Sequence, residues 1–551
     1  MLFLGSKKYP SPTYFVDYIT KNNGKFNGFT DFDTTGFFFT INKDNFSKAL
    51  DIFSQFFIDP LFDKQYVVKE VNSVNSEFER NIQLDRKRKE QVLRENANPK
   101  SLFHRFSTGN TKTLLEFTKN KNISLRDRVI EYYKKHYTID NMRLVVYGNK
   151  HISEYKKLVE ESFGKAPKPA KKYKFEDKRP LPYEFFKQGK LIFYQSINDH
   201  LQLDISIMIP DIHKSLPKNS CLYFKILLNK KGKNSLSDLL KKKGLLSTFH
   251  VGIRRTYDGF SMFKINGHLS SKGVQDLDLV LKTIYQYIER LKKYSLNKKI
   301  YNYYRKALVT RFQYNHRRPQ IMHFMKNICV NIWKYPKKYL FALHSLLPAY
   351  NEKDLNDFSK HLSINNSVIL IGHNKFDEGL LKKYHHFVKD FSFSNLKFKQ
   401  EPWYNTKYSS HQLSDNFMKK VNNNAPKLKV EFLSQKLKPF PKHISLVRQC
   451  KKKTKMLFKE CVEVMKKDQV NLTPEVILKD KFAEVHYKYD RSYLISKTNL
   501  VVKFIFNKDV NNVKYATFLR LLVYSLYHHY SNFFIEEYIR QNKIHINASP
   551  K

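Results

Sequence analysis

The chain has 551 residues, too many for one ordinary core and enough for two to four domains. Its 41% hydrophobic content excludes wholesale disorder, and no run of about 18 uncharged apolar residues marks a membrane span. The net charge of +50 is spread along the chain in short clusters such as Lys241–Lys243 and Lys451–Lys453, with no RRM-type aromatic motif, zinc finger or basic region running into heptads. It therefore reads as a solvated basic surface, attractive to acidic peptides, rather than a nucleic-acid site. Cys221, Cys329, Cys450 and Cys461 form no Cys-x-x-Cys pair and no disulfide framework, which points to reduced thiols and a cytoplasmic location.

In chain order, Met1–Lys8 puts a short apolar run before its lysines, the reverse of a secretory signal. Phe37–Ile41 reads as a buried strand. A helix follows with Phe46, Leu50, Phe53 and Phe57 at three- and four-residue spacing, ended by Asp59-Pro60. One long helix is expected from about Asp63 to Leu93, with the stripe Val67, Val71, Val74, Phe78 and Ile82. Leu144–Gly148 is a strand-and-stop signal, and Lys165–Lys172 is a Pro/Lys linker closing a first unit, 1–172. A second unit, 185–395, holds the alternating strand Leu201–Ile209, helices over 275–292 and 297–312, and Ser367–Gly372, which repeats the pattern of 143–148. That parallel suggests two copies of one architecture. The polar, Pro-containing stretch 400–450 reads as a second linker. Residues 451–551 read as part of a third unit, with helix signals at 455–466 and 515–540 and the strand Leu500–Phe506.

Glu70 and Glu77 lie seven residues apart on the long helix, nearly two turns, so both carboxylates project from one side at the edge of the apolar stripe. Spacing alone fits a cleft-facing pair and an ordinary solvated helix face. None of the 20 histidines pair at i,i+4, and His151-x-x-Glu154 is followed by Tyr155. No Gly-x-Ser-x-Gly elbow or phosphate-cradling glycine loop is present.

Met1–Lys8, Asn27-Gly28-Phe29-Thr30, Ser54–Phe57, Pro60-Leu61-Phe62, Glu70–Glu77, Phe106–Asn110, Arg318-Pro319 and Glu401–Tyr408 follow one another in a fixed order. Together, over about residues 1–410, they resemble the insulin-degrading-enzyme-like zinc metallopeptidases (insulinase and pitrilysin). The resemblance implies an α+β fold of tandem insulinase-type units, each a mainly antiparallel sheet with long helices packed mostly on one face. It implies a zinc metalloendopeptidase cleaving peptides bound as an added β-strand. Glu77 matches the third metal ligand and Glu70 a carboxylate supporting it. Asn27, Gly28, Phe29 and Thr30 match the substrate-binding edge strand, and Phe3 a pocket residue beside the scissile bond. The implied cofactor is Zn2+; the implied partners are peptide substrates, and a C-terminal half or a second copy of the chain.

The departures are equally specific. His-x-x-Glu-His, which supplies two metal ligands and the general base, is absent, Met1 standing where the residue after it would be. A lone Glu77 does not hold zinc, so this chain alone is expected to be inactive. Lys87 and Glu90 stand in place of an aromatic pair. The glycine-rich anchor for a substrate N-terminus corresponds to Lys230–Ser235 and Phe249–Gly252, here more basic. Two rival readings are a non-catalytic peptide-binding or partner subunit of the same fold and, on charge alone, a nucleic-acid binder.

Overall fold

The computed structural model describes residues 2–168 and 179–423, less 200, 213–217, 233, 258, 314–320, 333, 342–345, 376–383 and 390–397, and beyond them 475–479, 484–487, 517, 518 and 521. The chain divides into two compact units: Met1–Tyr301 with Arg318–Val430, and Asn302–Arg317 with Glu431–Lys551.

The first unit opens with α1 (Tyr14–Lys21), the hairpin β1 (Lys25–Thr30) and β2 (Thr35–Thr40), and α2 (Phe46–Gln55). Alternation along β1 and β2 and the helical spacing of α2 turn phenylalanines toward each other. Phe15, Phe53 and Phe56 are buried, and Phe26, Phe37 and Phe39 pack against them. α3 (Lys64–Ile82) and α4 (Asp85–Glu95) follow, then α5 (Phe117–Asn120), α6 (Leu125–His136) and α7 (Ile152–Phe163).

The single helix expected from Asp63 to Leu93 is two. Leu84 is extended (φ −106°, ψ 108°), and the buried Asp85 turns its carboxylate to accept hydrogen bonds from the backbone N–H groups of Ile197 (2.7 Å) and Asn198 (3.0 Å) and from Asn198 Nδ2 (2.8 Å). A tertiary contact thus overrides a helical period that runs on unbroken. Leu144–Gly148 also departs from expectation: it forms no strand, and Leu144 and Tyr147 are 40% and 62% exposed. No strand among the described residues lies beside it to share its backbone hydrogen bonds.

The rest of the first unit is built on a seven-stranded sheet. Its elements are β3 (Lys190–Gln195), β4 (Gln202–Pro210), α8 (Ser220–Leu228), α9 (Leu236–Lys242), β5 (Leu246–Tyr257), β6 (Phe260–Leu269), α10 (Ser271–Gln275), α11 (Leu277–Ser295), the start of α12 (Lys298–Gln313, which from Asn302 on belongs to the second unit), α13 (Ile321–Asn331), α14 (Glu352–His361), β7 (Ser367–His373), β8 (Lys399–Gln400), β9 (Lys407–Gln412) and α15 (Asp415–Asn423). Strand order is β5-β6-β4-β7-β3-β9-β8; only β3 and β7 run parallel, so the sheet is mainly antiparallel. Within the stretch 400–450 read as linker from sequence, β9 and the end of β8 are strands of this sheet and 415–423 are helical, while 424–450 lie outside the described residues. Phe263 faces Phe358 of α14, which packs on Phe224 of α8, and Tyr285 of α11 donates to Ser367 Oγ at 2.7 Å. The opposite face, with Met208, Phe260 and Met262, packs on Val92 and Leu93 of α4.

In the second unit, β10 (Glu475–Lys479) and β11 (Glu484–Tyr487) pair antiparallel. The signals at 455–466 and 500–506 lie outside the described residues, and of 515–540 only three positions are described.

Candidate functional site

The two candidate carboxylates depend on where α3 starts. Asp63 caps it, its Oδ1 accepting from Gln65 N at 3.0 Å. Asp63→Ala is expected to cost about 1 kcal/mol, read by chemical denaturation. Val71 and Phe78 anchor the helix inward. Glu70 is half-buried and engaged, whereas Glu77, almost two turns on, is exposed. The Phe3 ring packs among Phe15, Phe26, Phe37, Phe53 and Phe56, with centroids 5.1–6.4 Å away.

Three motifs far apart in sequence meet beside α3. Phe78 packs on Phe106 (5.6 Å) and Tyr404 (5.4 Å), and Phe106 stacks on Trp403 at 4.2 Å. Asn75 Oδ1 accepts from Thr111 N at 3.1 Å, and the Tyr404 and Thr108 hydroxyls share a hydrogen bond of 3.3 Å. The turn that presents Trp403 and Tyr404 is organised by one carboxylate. The fully buried Glu401 accepts from Trp403 N (2.9 Å), Tyr404 N (2.7 Å) and Thr406 N (3.2 Å), while Asn405 adopts a left-handed φ of 54° that suits asparagine. Arg88 of α4 fixes the turn from the other side, donating to Tyr404 O at 2.9 Å. Burial raises the Tyr404 hydroxyl above its ordinary pKa; Thr108 and Arg94 oppose this, and the charges of Glu401 and Glu77 add to it. The exposed Glu77 is near enough for its charge to act on the Tyr404 hydroxyl.

Next to it, between α4 and the sheet, lies a charged cluster that sequence patterning did not reveal. Lys89 pairs with Asp204 at 2.5 Å. Glu90 pairs with Arg254 and, at 3.4 Å, with Arg94. Arg94 is itself enclosed by the rings of Phe32 and Phe103, and donates to the carbonyls of Phe103 (3.2 Å) and Arg105 (3.3 Å). Burial pushes the Glu90 carboxyl up, but Arg254, Arg94 and Lys264 outweigh it and hold the group down at about 2. The available signal was Asp204, Ser206 and Lys264 alternating with apolar residues, which reads equally as a solvent face.

β1, which carries Asn27, Gly28, Phe29 and Thr30, pairs antiparallel with β2, and its other edge has no strand partner among the described residues. Lys326 of α13 sits over the Phe29 ring at 3.6 Å, and Asp33 pairs with Lys334 at 3.2 Å. Gly28 N donates to Asn27 Oδ1 at 2.7 Å. The segment leads on to Phe32, the ring that covers Arg94. Phe249–Gly252 belongs to β5, the edge strand of the large sheet, and Lys230–Ser235 leads into α9.

A zinc site takes three or four protein ligands. Among the described residues no three His, Cys, Asp or Glu side chains gather to hold a metal ion.

The insulinase (peptidase family M16) model matches residues 1–104, the peptidase M16 inactive-domain model 124–308, and the middle or third domain of peptidase M16 312–536. The chain is 33% identical over 317 residues to the insulin-degrading enzyme of Drosophila melanogaster, covering 57% of this chain and 32% of that protein. It is 26% identical over 508 residues to the peroxisomal insulin-degrading enzyme-like 1 of Arabidopsis thaliana, covering 92% of this chain and 48% of that one. It thus spans less than half the length of these relatives. The solved structure of pitrilysin superposes with a TM-score of 0.70 at 20% identity, over 90% of this chain and 48% of pitrilysin. A peptidase M16 inactive domain from Pseudomonas fluorescens matches with a TM-score of 0.52 at 16% identity, over 68% of this chain and 86% of that domain. With three successive models of one family matched in order and the motif residues assembled around α3, the chain belongs to the insulinase family of peptidases.

Proposed function

We propose that this chain binds peptides as an added β-strand along β1, as part of a zinc metalloendopeptidase of the insulin-degrading type. The observation that carries the reading is the open edge of β1. A strand edge offers a row of unpaired N–H and C=O groups that an extended peptide satisfies without regard to its side chains. Asn27, which holds the Gly28 amide, is the side chain an incoming strand would displace. Glu77 is the chain's candidate metal ligand and Glu70 its support, but two carboxylates lack the further donors zinc requires. A second reading is a non-catalytic peptide-binding subunit of the same fold. Cys221 and Cys329, both free thiols, support a cytoplasmic location, burial raising the Cys221 thiol to about 12.

The test is metal analysis combined with a fluorogenic peptide assay on the purified 551-residue chain. Saturable peptide binding is expected, with zinc well below one per chain and no turnover. Stoichiometric zinc with turnover would show the chain to be a complete peptidase. Failure of any extended peptide to bind would reject the β1 reading.

A further inference from the structure

Beneath α4, Gly252, Lys264 and Ser206 stand in one row across β5, β6 and β4, each in register with its neighbour. Among the described residues two carboxylates serve this patch and both are engaged: Asp204 with Lys89, and Glu90 with Arg254 and Arg94. Four cations, Lys89, Arg94, Arg254 and Lys264, therefore share two anions. The Lys264 ammonium makes no hydrogen bond or ion pair among the described residues; Asp204 and Glu90 attract it only at longer range, against the charges of Arg254 and Lys89. The Ser206 hydroxyl, in the same row, is buried and has no partner among the described residues. Gly252 leaves space beside them, since among the described residues a Cβ built there would meet only His250 Nε2, at 3.8 Å.

An uncompensated ammonium and an orphan hydroxyl at a partly covered position are unfavourable unless a ligand completes them. The missing partner is an acceptor with negative charge, small enough to enter over a glycine. We propose that this patch is an anion subsite that takes the carboxylate of an acidic side chain in a bound peptide, held by Lys264 and Arg254 with the Ser206 hydroxyl as donor beneath them. Arg254 spends one donor nitrogen on Glu90 and keeps others for a second carboxylate. The proposal rests on the peptide-binding reading and names its substrate class, peptides with an acidic residue.

The test uses the full chain and two labelled peptides identical except for Glu against Gln at one position. The wild-type chain is expected to bind the Glu peptide about tenfold more tightly. Lys264→Met should erase that preference and leave the affinity for the Gln peptide unchanged. Lys241→Met, which removes an exposed lysine, should preserve it and so control for the overall positive charge. Because Lys264 has no partner to orphan, its replacement should leave the thermal midpoint unchanged or raise it. Equal binding of the two peptides by the wild-type chain, or a preference surviving Lys264→Met, overturns the subsite while leaving the peptide-binding reading in place. If neither peptide binds, that reading fails and glutarate decides for the subsite. A midpoint raised by glutarate in wild type and Lys241→Met but not in Lys264→Met supports it; equal rises in all three overturn it.

Discussion

Glu90→Gln is expected to destabilise the first unit by about 3–5 kcal/mol at neutral pH, the usual effect of removing one partner from a buried ion pair. Among the described residues Glu90 is the only carboxylate paired with Arg94, whose side chain is 6% exposed, and it also pairs with Arg254. Without it, two guanidinium groups and the Lys264 ammonium face each other under α4 with Asp204 alone in opposition. The pH dependence has a definite sign. The folded pKa of Glu90, about 2, lies below the unfolded value near 4.5, so its contribution is complete above about pH 4.5 and is lost as pH falls through 2. Denaturation midpoints of wild type and Glu90→Gln should be furthest apart at neutral pH and converge toward pH 2. A constant gap across that range would mean that packing, not charge, is what Glu90 supplies.

Glu401→Ala should cost about 3 kcal/mol, because three backbone N–H groups, those of Trp403, Tyr404 and Thr406, would lose one buried acceptor group. The effect should reach beyond stability. The turn delivers Trp403 onto Phe106 and Tyr404 onto Phe78, so its loss should loosen the wall beside α3. Trp403 fluorescence and near-ultraviolet dichroism should both change. Glu401→Gln keeps one acceptor oxygen and should recover roughly half the loss. A silent Glu401→Ala would show that the turn is set by Asn405 and Arg88 without the carboxylate.

What the sequence reveals and what it hides separates by the range of the interactions. α2, α11, β4 and β7 are written in local periodicity, since each residue's burial depends on neighbours within a few positions. The motifs at 70–77, 106–110 and 401–408 could be matched one by one, yet their assembly around Tyr404 depends on contacts spanning some three hundred residues, such as Thr108 with Tyr404. The break at Leu84 was hidden for the same reason, because Asp85 takes its partners from Ile197 and Asn198. Residues 400–412 looked like linker because Pro402 and the polar residues around it are turn formers, and their strand pairing with β3 has no local signature. Glu90 was legible as a departure from an aromatic position; its pairing with Arg254 on β5 was not. Leu144–Gly148 has the composition of a strand but no adjacent strand among the described residues, so propensity alone did not make it one.

The clasp between Asp85 and the loop at Ile197 and Asn198 has a kinetic consequence. It fastens the first turn of α4 to the end of β3, so neither can open without releasing the other. Amide protons of α4 and of that loop should then exchange with solvent at a common rate, as one cooperative block. α3, on the far side of the break, lies outside this clasp and is tied instead to Tyr404 and Thr111, through Phe78 and Asn75, so the carboxylate at 77 moves with the aromatic assembly that Arg88 of α4 also holds.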